Sequence, residues 1–348
     1  MSYTISTLSF ASANNLGFGS LLLVLVRLSY HNTMLQTYLA ISRLVVVLVC
    51  VICCFGCARQ TDNRTTLVVW GVQTSEETKI EQAQVKEFER QNPDIKVSLL
   101  SMGAGAMNPQ KLMTAIVGNT PPDVVCQDRF TIGDWASRDT FRPLNDLLAK
   151  DAKSDDPYAV KQEDYYKACW AEANFRGKVY AIPAGTDDRC LYYSKEAFRE
   201  AGLDPNKPPR TWEELRAYSV KLTKYNSDGT FQRAGFIPNF GNSWLYLYSW
   251  QNGGEFMSKD GKTCTMNNPR TVEALKYMTS IYDDLKGAER LDAYTRGFAA
   301  LPPEMDPFMI GRVAMKIDGD WFLQNIARYQ PDLDFGVAPP PVPAARLK

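Results

Sequence analysis

The chain has 348 residues, with 39 Lys plus Arg against 39 Asp plus Glu and no net charge. That length accommodates two domains, and the charge balance argues against a nucleic-acid binder, which carries a basic excess. The single histidine, His31, stands near the N-terminus. The rest of the chain therefore offers no imidazole for a Ser-His-Asp triad, a histidine-ligated metal or a histidine general base.

Residues 1–57 read as a leader. Arg43 precedes Leu44–Phe55, twelve residues without a charge. Such a run is too short to span a bilayer and suits the core of a signal peptide. Phe18–Leu28 is a second apolar run, broken by Arg27. A start at Met34 gives a leader of ordinary length, so residues 1–33 read as an over-extended start. Residues 58–65 form a polar tether. Four of the eight cysteines (Cys50, Cys53, Cys54, Cys57) fall in the leader, and Cys126, Cys169, Cys190 and Cys264 are spread beyond it. These four form no Cys-x-x-Cys pair, which disfavours a zinc or thioredoxin-like site. Each reads as a small buried apolar residue.

After the tether the pattern alternates. Thr66–Trp70 is a strand. Thr74 and Glu77 are placed to cap a helix that carries Ile80, Ala83 and Phe88 on one face. Asn92-Pro93 stops it, and Ile95–Leu100 alternates as a second strand. Lys111–Val117 clusters Leu112, Ala115 and Ile116 on a helix, and Asp123–Cys126 is a short buried strand. Strand, helix, strand, helix, strand implies a mostly parallel sheet flanked by helices, with ligands beyond the strands' carboxyl ends. Further on, Lys178–Ile182 alternates until Pro183, a charged loop spans Thr186–Arg189, and Cys190–Tyr193 suits a buried strand. A short helix and the Pro208-Pro209 break follow, and Thr211 and Glu214 form a capping box. Asn268-Pro269 opens a helix marked by Val272, Leu275, Met278, Tyr282 and Leu285. Gly311–Trp321 is a strand running into a Gly-rich turn and a Trp, and Phe335–Pro341 is a strand ended by prolines.

Several of these stretches resemble the extracellular solute-binding proteins of ABC sugar importers. The resemblance rests on the strand ending in Trp70, Phe88 with Asn92-Pro93, and the Pro121-Pro122-Asp123-Val124 strand. It also rests on Asp187-x-Arg189 with Leu191-Tyr192-Tyr193, Thr211-Trp212-Glu213-Glu214-Leu215, Gly311 to Trp321, and Phe335 to Pro341. It covers about Thr65 to Lys348. It implies a two-lobed α/β fold of the type II periplasmic-binding-protein class, each lobe a mostly parallel sheet flanked by helices, with the ligand cleft between lobes. The first lobe is expected over 66–177 and the second over 178–348. Gly56-Cys57 after an apolar run resembles a bacterial lipobox, with Cys57 lipidated; an ordinary signal peptide or a membrane anchor, with Cys57 a bystander, is the alternative. The resemblance implies an exported monomer that binds sugar, needs no cofactor or metal, and delivers its ligand by hinge closure to permease subunits served by a cytoplasmic ATPase. A secreted glycoside hydrolase and a lipoprotein for a non-sugar solute remain the alternatives.

A sugar has an apolar C–H face and a rim of hydroxyls, so a site needs aromatic rings beside carboxylates, amides or guanidinium groups. Candidates on loops after strands are Trp70, Gln73, Asp128, Arg129, Asp187, Arg189, Asn242, Trp244, Asp320 and Trp321. Trp70 and Trp250 could instead be core, and Asp187–Arg189 a structural ion pair. No nucleophile elbow is present, and Gly254 and Gly261 are too far apart for a phosphate loop.

Members of the resembled family continue beyond the Phe335–Pro341 strand, cross back to the first lobe and finish with helices packing on both lobes, so the second lobe is expected to lack its C-terminal helices. The expectation is therefore a first lobe with incomplete cover, exposed apolar surface and a tendency to aggregate. Thermal unfolding of the purified 348-residue chain should be broad or obscured by aggregation. A monomer with one cooperative transition would contradict this expectation.

Overall fold

Thr65–Val72 is rich in β-branched residues and forms strand β1. The structure is a computed structural model that describes Ser42 and residues 62–72, 77–102 and 109–347. The apolar run 44–55, Cys57, Gln73 and Thr74 lie outside these residues. Among the described residues the chain divides into two units, one ending at Asp128 and the other beginning at Arg129.

In the first unit β1 is followed by α1 (Glu77–Gln91), β2 (Ile95–Met102), α2 (Pro109–Val117) and β3 (Val124–Val125). The sheet order is β2-β1-β3 and both pairings are parallel, as the alternation of strands and helices requires. Trp70 lies opposite Leu100 on one side and Val125 on the other. Asp123 pins β3 to β1: its amide donates to the Val68 carbonyl and its carboxylate accepts from the Val68 amide, each at 2.8 Å.

Burial in this unit departs from the sequence expectation. Ile80, Ala83 and Phe88 are exposed on α1, whereas Glu81, Val85 and Glu89 are half-buried. The reason is electrostatic. The Glu89 carboxylate accepts from the Val97 amide of edge strand β2 at 2.7 Å, which turns this face of the helix inward. Of α2 only Leu112 is buried. β3, expected to be buried, has Val124 exposed because the strand is two residues long and lies at the sheet edge.

The second unit begins with three short helices, α3 (Ile132–Ser137), α4 (Asn145–Asp151) and α5 (Lys167–Glu172). A small hairpin follows, β4 (Asn174–Phe175) with β5 (Lys178–Val179). The expected boundary at 177/178 falls in the turn of this hairpin. The strand expected over Lys178–Ile182 pairs only at its first two residues. Then come β6 (Arg189–Ser194), α6 (Lys195–Glu200), α7 (Trp212–Leu222), β7 (Lys224–Tyr225), β8 (Phe231–Gly241) and α8 (Leu245–Gln251). The unit closes with α9 (Pro269–Asp284), α10 (Ala288–Thr295), β9 (Val313–Gly319), α11 (Phe322–Tyr329) and β10 (Phe335–Ala338).

The second sheet has the order β10-β6-β9-β8-β7. Here the expectation of mostly parallel pairing gives way: only β8 and β9 are parallel, and the other pairings are antiparallel. β7 and β8 are joined by a tight turn in which Asn226 accepts from Gly229, and such a short link forces the antiparallel sense. The two strands that β9 joins, β6 and β8, carry the site described below.

Local signals hold well here. Thr211 caps α7 with both bonds of a capping box, and Asn268 caps α9 ahead of Pro269. The expected face of α9 holds at Met278, Tyr282 and Leu285, which are buried or half-buried, but not at its N-terminal end. Val272 and Leu275 are exposed, while Thr271, Ala274, Met278 and Ile281 are buried. The small residues Thr271 and Ala274 occupy the inner face at this end because α8 approaches closely, with the Ser249 and Thr271 hydroxyls 2.6 Å apart. Trp212, Tyr248 and Tyr277 wedge α7, α8 and α9 together; Trp212 stacks on Tyr277 at 4.3 Å. Of the four cysteines expected to be buried, Cys169 is buried, Cys190 half-buried, and Cys126 and Cys264 exposed.

Arg216 on α7 grips Asp284 at the end of α9 with two bonds, 2.5 and 2.9 Å. The hydrogen-bonded guanidinium holds the Asp284 carboxyl below its ordinary pKa. A lowered folded-state pKa contributes stability above the unfolded carboxyl pKa, and that contribution is lost as pH falls through the folded value. Asp284→Asn is expected to cost about 0.5–1 kcal/mol at pH 7. Urea unfolding at pH 7 and pH 3 should show the difference from wild type shrinking at the lower pH.

Candidate functional site

Strand β9 is buried along its whole length. A lysine in such a strand needs compensation, because burying an unpaired ammonium is costly. Lys316 is 5% exposed, and its Nζ lies 2.7 Å from Asp306 and 2.7 Å from Asp318. The Phe322 ring covers it at 4.0 Å. Asp318 then has oxygens to spare for its neighbours. Its Oδ1 accepts from Asn242 Nδ2 at 2.6 Å and from the Gly319 amide at 2.9 Å.

The antiparallel register of β6 and β9 sets Arg189 opposite Gly319. Arg189 makes an ion pair with Asp187 and lies over the Trp321 ring at 4.9 Å. Its Nε is buried without a hydrogen-bond partner, so the carboxylate and the indole supply its compensation. Trp321 can occupy this position because residue 319 is glycine. A Cβ there would lie 2.0 Å from the indole. The Asp320 amide donates to the Asp188 carbonyl at 3.1 Å, joining the two charged loops, and Asp320 itself is exposed.

The end of β8 supplies the third side. Its register with β9 shifts between Phe236 and Gly241, and Gly241 has φ +72°, a conformation that favours glycine. The turn delivers Asn242, whose amide donates to the Ile317 carbonyl at 2.9 Å, and then Trp244 at the start of α8. Trp244 is 47% exposed. The Tyr246 hydroxyl accepts from Arg189 at 3.5 Å.

Asp187, Arg189, Asn242, Trp244, Asp320 and Trp321 are thus gathered within the second unit, at adjoining ends of β6, β8 and β9. Arg129 serves this cluster indirectly. It pairs with Glu172 at 2.7 Å and donates to the Gly185 carbonyl, steadying the loop before Asp187. Trp70 and Asp128 belong to the first unit. Trp70 is 9% exposed with the Lys111 ammonium 5.2 Å from its ring centre, and Asp128 is exposed. Burial, reinforced by Asp188 and Asp320, pushes the Cys190 thiol up and keeps it protonated near neutral pH. Burial also raises the Tyr192 hydroxyl, which donates to the Gly319 carbonyl at 2.8 Å.

Residues 72–347 match the family described as bacterial extracellular solute-binding protein. The chain belongs to this family. The sn-glycerol-3-phosphate-binding periplasmic protein UgpB of Salmonella typhimurium is 26% identical over 294 residues, covering 80% of this chain and 62% of UgpB. The chain spans less than two thirds of the length of the curated relatives it matches. Among solved structures, CpMnBP1 with mannotriose bound is 28% identical with a TM-score of 0.69, over 80% of this chain and 69% of that one. An ABC substrate-binding protein from Listeria monocytogenes in complex with cycloalternan is 25% identical with a TM-score of 0.65, over 81% and 67%. The fold is that of type II periplasmic binding proteins.

Sequence reasoning missed Lys316, Tyr246 and the exposure of Trp250. The available signal for Lys316 was a charge inside the otherwise apolar start of β9, two residues before Asp318, since a buried charge in a central strand demands partners. Tyr246 and Trp250 stand four apart on α8, a spacing that places them on one face.

Gly319→Ala is expected to displace the indole and destabilise the chain by about 1–3 kcal/mol. Because the clash is with that ring, Trp321→Ala in the same chain should recover much of the loss. Denaturation of both single variants and the double variant measures the coupling. Strictly additive losses would contradict the assigned contact.

Proposed function

We propose that the protein is the solute-capturing component of an ABC importer and that its ligand is a carbohydrate. The observation that carries this reading is the Arg189–Trp321 stack flanked by Asp187, Asn242 and the exposed Trp244. An indole face meets the apolar side of a sugar, and the surrounding carboxylate, amide and guanidinium groups suit its hydroxyls. The mannotriose and cycloalternan bound to its structural relatives support the same ligand class.

The similarity to UgpB raises a phosphorylated polyol as a second ligand. Charge favours the neutral sugar. Asp187, Asp188, Asp318 and Asp320 surround Arg189 and Lys316, and both cations already have carboxylate partners. A phosphate dianion entering here would meet an excess of negative charge.

Export, lipid attachment at Cys57 and delivery to membrane permease subunits complete the proposed role. Closure of two lobes around the ligand would let the permease distinguish loaded from empty protein. Trp70, Gln73 and Asp128 are proposed as first-lobe contacts, and no chemical step is needed. Calorimetry with a panel of mono- and oligosaccharides and with sn-glycerol-3-phosphate should yield binding of a sugar without product formation. Trp321→Ala should weaken that binding about tenfold or more. Binding of the phosphate compound alone, or turnover of a sugar, would overturn the proposal.

A further inference from the structure

The Lys316 ammonium can donate hydrogen bonds but cannot accept them. It is buried between the Asp306 and Asp318 carboxylates, 2.7 Å from each, with the Phe322 ring 4.0 Å away. Any part it plays in the candidate site must therefore pass through these partners. Asp306 is itself fixed, because its second oxygen accepts from the Phe308 amide at 2.9 Å. Asp318 leads toward the site. One of its oxygens meets Lys316, and the other accepts from Asn242 Nδ2 and from the Gly319 amide.

This chain of contacts sets the direction of one amide. A carboxylate offers only acceptors, so Asn242 must turn its NH2 group toward Asp318. The Asn242 side-chain carbonyl oxygen then points away from Asp318, and among the described residues no protein group donates to it. The residue cannot shift to compensate, since its backbone amide is bonded to the Ile317 carbonyl at 2.9 Å. A half-buried amide oxygen left open between Arg189 and Trp244 is suited to a hydroxyl that arrives with the ligand.

We propose that Lys316 is a positioning residue for ligand binding: through Asp318 it holds the Asn242 amide so that its carbonyl oxygen accepts from one ligand hydroxyl. This rests on the carbohydrate reading above and extends it to a specificity rule. The site would require a free hydroxyl at that position and would reject a ligand in which it is missing or methylated. Without the ammonium, Asp306 and Asp318 would repel each other, and the Asn242 amide would be free to turn its NH2 group to the ligand instead.

The test is a double-mutant cycle on the full chain, with Kd measured calorimetrically for the tightest ligand in a panel of mono- and oligosaccharides. Lys316→Met should weaken binding about five- to tenfold in the otherwise unchanged chain. In the Asn242→Ala background, where no amide remains to be positioned, the same substitution should change Kd by less than about twofold. A loss of equal size in both backgrounds, or no loss in either, would overturn the positioning role and leave the carbohydrate reading intact. If Lys316→Met does not fold, Asp318→Asn gives the same comparison, because it keeps the shape of the side chain and leaves Lys316 paired with Asp306. Its effect should likewise vanish in Asn242→Ala, and an undiminished effect there would overturn the proposal. Failure of the unmodified chain to bind any sugar would overturn both readings.

Discussion

A lysine ammonium inside the central strand of a sheet is tolerable only if carboxylates come to it. In this protein Asp306 and Asp318 do so, and much of the second unit follows from that requirement. Asp306 fixes the segment entering β9. Asp318 fixes the segment leaving it and also holds Asn242 from the end of β8. The buried ion cluster therefore ties a fold element to the floor of the candidate site. Removing the charge on Lys316 would leave two carboxylates facing each other, so its effect would reach the residues of the candidate site.

Around this floor the site is assembled from backbone geometry. The β6–β9 register sets Arg189 beside Gly319, and the missing side chain at 319 admits the Trp321 ring. The left-handed Gly241 turns β8 toward α8. The side chains of the candidate site thus have their own positions fixed by neighbours, the arrangement expected of a preorganised binding site.

Much of this was legible in the sequence, and the rest failed for identifiable reasons. Strand positions, the Thr211 capping box and the Asn268-Pro269 helix start follow from local chemistry, which tertiary contacts left unchanged. Helix faces were less legible. On α9 the expected Met278 and Leu285 are buried, but at the helix's start Thr271 and Ala274 turn inward in place of Val272 and Leu275, because another helix lies too close there for large residues. On α1 a carboxylate bonded to an edge strand outweighed the apolar residues. Strand direction in the second sheet depends on which strands become neighbours, and no local pattern encodes that. Six of the ten candidate ligand residues gather in the second unit. Two belong to the first, Arg129 braces a loop, and Gln73 lies outside the described residues.

The tryptophans are divided by environment. Trp70, Trp135, Trp170 and Trp212 are buried, whereas Trp244 and Trp250 are open to water and Trp321 is half-buried beside Arg189. Indole emission depends on contact with water. The buried rings would contribute a nearly constant background, and occupancy of the candidate site would register mainly through Trp244 and Trp321. The chain thus carries an intrinsic optical reporter of its own loading, placed where the ligand is proposed to lie.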